Sequence, residues 1–89
     1  MESIITYDIS DKHTEFKNEM KKLGYQDKIK WDGNDSWIYL PNTTLYHPTK
    51  TPVEAKVDAK KIKNDLKIDL ERCIATIWEN WSAICGESF

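Results

Sequence analysis

Arginine is nearly missing from this chain of 89 residues: of its thirteen Lys and Arg side chains, Arg72 is the single guanidinium. Bidentate recognition of phosphates or guanine edges relies on that planar fork, so sequence-specific reading of nucleic acid has little to work with. Cysteine is scarce too. Cys73 and Cys85 stand alone, without a CxxC pair or neighbouring histidines, which excludes a disulfide framework or a zinc knot and leaves two reduced, mostly buried thiols as the expectation. No apolar run approaches the length of a membrane span, and the opening "MESIITYD" lacks the cationic flank and long apolar centre of a signal peptide. A soluble, cytoplasmic protein with no membrane contact is expected. No internal repeat or low-complexity tract is visible.

What the chain does contain is an ordinary globular balance, 39% hydrophobic and 31% charged with a net charge of −2, enough for one domain spanning residues 1–89 with a single modest core. Four Trp and four Tyr are many for this length. Rings of that size need a deep core or a second surface to lie against, so an interface is expected.

Along the chain, Ser3–Ile9 reads as a strand bound for a core, with Asp8 at its far end. The turn that follows offers Ser10 and Asp11 as helix caps. Phe16, Met20 and Leu23 recur at helical spacing, and Gly24 stands where a helix stops in a left-handed turn. Residues 28–31 and 36–40 flank "DGND" and predict a hairpin. Its second arm could continue through "TTLYH", but Pro41 denies the ladder a donor, and Asn42–Lys50 is read as a loop. "TPVE" is the clearest local signal: Thr51 caps, Pro52 takes the first helical position and Glu54 closes a capping box. The helix it starts presents Ala55, Ala59, Ile62 and Leu66 on one stripe, with Lys56, Lys60, Lys63 and Lys67 on one flank and Glu54, Asp58, Asp65 and Asp69 on the other. Val53, Val57 and Ile68 fall on the far side, which suggests a covering loop. "RCIATIW" predicts a last strand, Arg72–Trp78, and Trp81, Ala83 and Cys85 alternate in a manner suited to an extra strand at an edge.

The order β-α-β-β-α-β predicts a ferredoxin-like α+β sandwich: a four-stranded antiparallel sheet with both helices on one face and the first and last strands adjacent in its middle. The other face is then bare. If the small residues Cys73 and Ala75 meet the helices, Ile74 and Trp78 lie on the uncovered side and need a cover.

Taken together, "ITYDIS", the helix ending "LGY", "SWIYL" and "IATIWENWSA" resemble the CRISPR-associated protein 2 superfamily, and more closely its SinR-like relatives, over nearly the whole chain. The resemblance implies a homodimer formed through the sheet faces, with Tyr7, Ile74, Trp78 and Trp81 at its interface. It further implies that Asp8 meets its twofold mate and that the pair holds Mg²⁺ or Mn²⁺, as in the endonuclease members that cleave RNA or DNA. Two carboxylates brought together repel unless a hard cation neutralises them, so that chemistry is coherent. The first helix departs from the nuclease pattern, since "KHTEFKNEMKK" mixes Glu15 and Glu19 among its lysines where nuclease-type members often carry arginines. Some members act as structural bridges between partner enzymes, so a non-catalytic homodimeric scaffold is the alternative.

Each candidate residue has a plainer reading beside the chemical one. Asp8 is a metal ligand and catalytic group, or an acceptor for backbone N–H groups of the turn at residues 10–12. Ser10, Asp11 and His13 could support a metal or relay protons around it, or be solvated turn and cap residues. Lys56, Lys60, Lys63 and Lys67 could follow a phosphate backbone, or form a solvated helix flank. Trp31, Trp37, Tyr39 and Trp78 could stack bases as an RNA-binding module does, or fill a core and a dimer contact. His47, between Tyr46 and Pro48, reads as a loop histidine at the surface, or as a ligand or base reaching in from the loop.

Overall fold

Alternation decides the first strand. In β1 (Ser3–Ile9), Ser3, Ile5, Tyr7 and Ile9 are buried while Ile4, Thr6 and Asp8 face the other way, the period-two pattern of a strand with one covered face. The computed structural model describes residues 2–30 and 37–78. After β1 come α1 (His13–Lys22), β2 (Lys28–Lys30), β3 (Trp37–Tyr39), β4 (Thr44–His47), α2 (Pro52–Leu66) and β5 (Leu70–Ile77). β1 is the middle strand of a three-stranded antiparallel sheet, order β4-β1-β5. Its register sets Ile5 opposite both Leu45 and Ala75, Thr6 opposite Ile74, and Asp8 opposite Arg72.

Both helices cover one face of this sheet. Phe16 and Met20 of α1, and Ala55, Ala59 and Ile62 of α2, join Ile5, Tyr7, Ile9 and Leu45 in the main core. Phe16 and Met20 are fully buried, and a side chain of this kind contributes about 1.5–3 kcal/mol when removed from water. α1 stops at Gly24, whose φ of +97° suits glycine. Leu23, the expected third member of its stripe, is 38% exposed. The helix start also differs from expectation. Lys12 holds the N-cap position in the left-handed region with no side-chain cap, because Ser10 is engaged elsewhere: its N–H donates to Asp69 O and its Oγ accepts from Asp69 N. That reciprocal pair ties the end of β1 to the residue before β5. Asp11 Oδ1 accepts the Lys12 N–H.

α2 begins as the sequence indicates, with the Thr51 and Glu54 side chains each accepting the other's backbone N–H. It ends at Lys67, in the left-handed region, so Ile68 is no longer helical and turns into the core. Val53 and Val57 remain 65% and 56% exposed, with no loop covering them among the described residues.

The largest departure concerns the sheet. The expected four-stranded sheet is replaced by three strands and a separate two-stranded hairpin, β2 with β3. "TTLYH" is not part of a loop. Past Pro41 the chain turns through Thr43 (φ 69°), where Thr44 N donates to Pro41 O, and Thr44–His47 becomes the strand beside β1. The hairpin instead folds back over the sheet. Ile29, Ile38 and Leu40 form a second cluster with Ile4, Tyr46 and Trp78, on the face away from the helices. Three apolar side chains on a ribbon this short are buried by lying on a face; an edge position would leave them wet. One bridge, Gln26 with Tyr46, joins the chain just before β2 to β4. The suggested extra strand at residues 81–85, and the "DGND" turn, lie outside the described residues. Among the described residues no helix is long and apolar enough to cross a membrane.

Candidate functional site

The residues that the sequence singles out sit on both sides of the sheet. Asp8 and Arg72 face away from the helices as a directly opposed cross-strand pair. Arg72 Nε donates to Asp8 Oδ2 at 2.7 Å, with the side chains 78% and 50% exposed respectively. The hydrogen bond and the charge of Asp8 raise the Arg72 pKa above its ordinary value. In the next row, Thr6 faces Ile74, which is 67% exposed. The patch is therefore an opposite-charge pair beside a bare isoleucine.

Farther along the same face the cover comes from the chain itself. Trp78, expected to lie open with Ile74, is half-buried against the hairpin cluster, and its backbone N–H donates to Glu2 O. Tyr46 donates its hydroxyl to Glu2 Oε1, and burial together with that bond pushes its phenol up to about 12. Tyr7, expected at a dimer interface, points to the opposite side and is 3% exposed in the main core. Its ring packs on Phe16, and burial, aided by the charge of Asp27, moves its pKa up to about 12. Odd positions of β1 all face the helices, so Tyr7 cannot share a face with Asp8. Trp81 lies outside the described residues.

The proposed supporting residues do not gather around Asp8. Ser10 bonds Asp69, and Asp11 bonds the adjacent backbone. His13 lines a cleft of about 350 Å³ along α1 with Thr14, Lys17, Asn18, Lys21, Asp27 and Asn42. Within it Lys17 donates to Asn42 Oδ1, and Lys21 pairs with Asp27 at 3.0 Å. Burial pushes the Asp27 carboxyl up, but Lys21 and Lys17 outweigh it and hold the group below its ordinary value. Among the described residues no three His, Cys, Asp or Glu side chains converge as a metal-ligand group. Asp8, one carboxylate already held by a guanidinium, is a poor fit to a divalent cation as it stands, since the metal would have to displace Arg72 or be repelled by it. The lysines of α2 belong to the other side of the sheet. Lys56 and Lys60 are exposed near half-buried Cys73, where burial raises the thiol pKa and their charges oppose the rise; Lys63 is half-buried and Lys67 ends the helix.

His47 is the residue whose part the sequence conceals. It is 6% exposed on the helix side. Nδ1 accepts the N–H groups of Thr49 and Lys50, at 3.1 and 3.2 Å, so the ring proton sits on Nε2 and is given to Leu23 O at 3.0 Å. The imidazole thus clamps the end of α1 to the loop that leads into α2. Beside it, Tyr25 meets the ring edge-on at 4.8 Å and donates to Asp58, which also pairs with Lys50. Burial and the bond to Asp58 raise the Tyr25 pKa strongly, keeping the phenol a donor. A signal existed: His47 falls two positions after Leu45, on the buried alternation of β4. Comparison with protein-family models, curated proteins and solved structures gave no match for this chain.

Proposed function

We propose that this chain works as a homodimer, a ferredoxin-like unit similar to the SinR-like branch of the CRISPR-associated protein 2 superfamily, and serves as a scaffold bridging partner proteins without cutting nucleic acid. The observation that carries the reading is the patch of Asp8, Arg72, Thr6 and Ile74. An isologous contact places each residue against its counterpart's neighbour. A twofold axis running along the strands between β1 and β5 sets Asp8 of each copy over Arg72 of the other, and Ile74 over Thr6. An axis across the strands at the same row sets like charge over like. Charge complementarity therefore favours the first arrangement, in which the aspartates are paired with arginines and do not form a shared metal site. The bridge between Gln26 and Tyr46 supports the ferredoxin-like assignment, because it lies at the free edge of β4 where the fourth strand of that fold runs.

Light scattering on a size-exclusion column tests this directly. The wild type should run as a dimer and Ile74→Asp as a folded monomer. Asp8→Arg should weaken the dimer, and the double variant Asp8→Arg with Arg72→Asp should recover it. A wild type that is monomeric at every concentration sinks the proposal. So would Mg²⁺- or Mn²⁺-dependent cleavage of RNA or DNA that Asp8→Asn abolishes, which would restore the nuclease reading.

A further inference from the structure

The outer face of the hairpin carries chemistry that neither the sheet patch nor the α1 cleft uses. With Ile29 and Ile38 turned inward as a directly opposed pair, the alternate residues point outward: Lys28 lies opposite Tyr39, and Lys30 opposite Trp37. The result is a ladder of two cations and two rings on one small surface. Lys28 Nζ stands 4.6 Å from the Trp37 ring centre and 5.8 Å from that of Tyr39, and Lys30 Nζ lies 5.4 Å from Trp37. Trp37 nonetheless keeps 42% of its surface exposed. Among the described residues neither lysine has a carboxylate within salt-bridge reach, in contrast to Lys21, Lys22 and Lys50.

We infer that this face binds single-stranded nucleic acid, with a base stacked on Trp37 and the flanking phosphates taken by Lys28 and Lys30. Three features support that ligand over a merely acidic one. A carboxylate-rich peptide would use the lysines but leave the exposed indole unmatched, whereas a nucleotide offers an anion and a flat π-surface together. The two lysines are two residues apart on one strand, about 6.6 Å, comparable with the phosphate repeat of a stretched single strand. The buried Ile29–Ile38 pair anchors the ribbon from behind and holds the Trp37 ring in place, so binding requires only that a lysine swing off the ring face toward a phosphate as the base takes its place. Binding would be weak at physiological salt, because two lysines on a chain of net charge −2 generate only a local field. The site is separate from the Asp8 patch and stands or falls independently of the dimer.

Fluorescence anisotropy with a labelled oligouridine and a labelled oligothymidine, read at low and moderate salt, tests it. Saturable binding is expected. Trp37→Ala should weaken it by about tenfold, the loss that goes with one stacked base. Lys28→Gln with Lys30→Gln should flatten the salt dependence by about 1.4, at roughly 0.7 per phosphate contact on a single strand. Lys56→Gln with Lys60→Gln, on the other side of the sheet, should change nothing, and circular dichroism verifies that each variant folds. The inference is overturned by any of three results: no saturable binding, binding unchanged in both hairpin variants, or equal binding of a polyglutamate peptide that displaces the oligonucleotide.

Discussion

Adding one methyl group at Gly24 should be among the most damaging small changes in this protein. Gly24 has a φ of +97°, and a Cβ built there would meet His47 Nε2 at 2.8 Å, closer than carbon and nitrogen tolerate. Two effects combine. An alanine in the left-handed half of backbone space costs about 1–2 kcal/mol, and displacing the imidazole breaks its bond to Leu23 O, worth about 1 kcal/mol, while straining the two backbone N–H groups on Nδ1. Gly24→Ala should therefore lose about 2–4 kcal/mol. Against the 5–15 kcal/mol typical of a whole domain that is a large fraction, and it corresponds to a fall in Tm on the order of 10–25 °C at this size. Urea titration followed by circular dichroism measures it, and a cycle with His47→Ala separates the two effects. With the ring removed the steric part disappears, so the double variant should be less destabilised than the sum of the singles by about 1 kcal/mol. A loss below about 0.5 kcal/mol, or additivity within about 0.3–0.5 kcal/mol, refutes the clamp as described.

Two further outcomes follow from buried polar groups. Ser3 is 1% exposed and its Oγ has no hydrogen-bond partner among the described residues, so Ser3→Ala should leave stability unchanged or raise it by about 1 kcal/mol; a loss of that size in urea would mean that the hydroxyl is satisfied. Tyr7 and Tyr46 both have phenols pushed up to about 12, above the value near 10 of an unfolded tyrosine. For a raised pKa the stabilisation is complete below about pH 10 and is lost as pH climbs toward about 12. Unfolding free energy should accordingly fall across that window while phenolate absorbance grows, and ordinary titration near pH 10 with the fold intact would contradict it.

How much of this could be read from the sequence depends on how local each signal is. The α2 capping box and the stripe Ala55, Ala59, Ile62 were legible because caps and helical period are set by residues three or four apart. So were the alternation of β1, the stop at Gly24 and the turning of Ile74 away from the helices. The strand at Thr44–His47 was hidden because its inward residues are Leu45 and His47, and a buried histidine looks polar until its three backbone partners are known. The covering of Trp78 was hidden for another reason: nothing short-range tells a hairpin to fold onto a face in place of extending an edge. Around Asp8, the strand-end position was readable, but its partner Arg72 lies sixty-four residues away in the chain, and only the register of β5 brings them together. Expecting the turn at residues 10–12 to supply that partner overlooked the pull of Asp69 on Ser10.

The central place of β1 has a consequence for how the molecule is made. Its neighbours are the fourth and fifth strands, so during synthesis β1 leaves the ribosome before either partner and must wait for Leu70–Ile77 before its second edge is closed. Pairings this distant in the chain are slow to form, and until they do an exposed ribbon edge invites association with other nascent chains. Variants that delay the last strand should therefore be recovered as aggregates during expression even where the finished protein, once refolded, is sound.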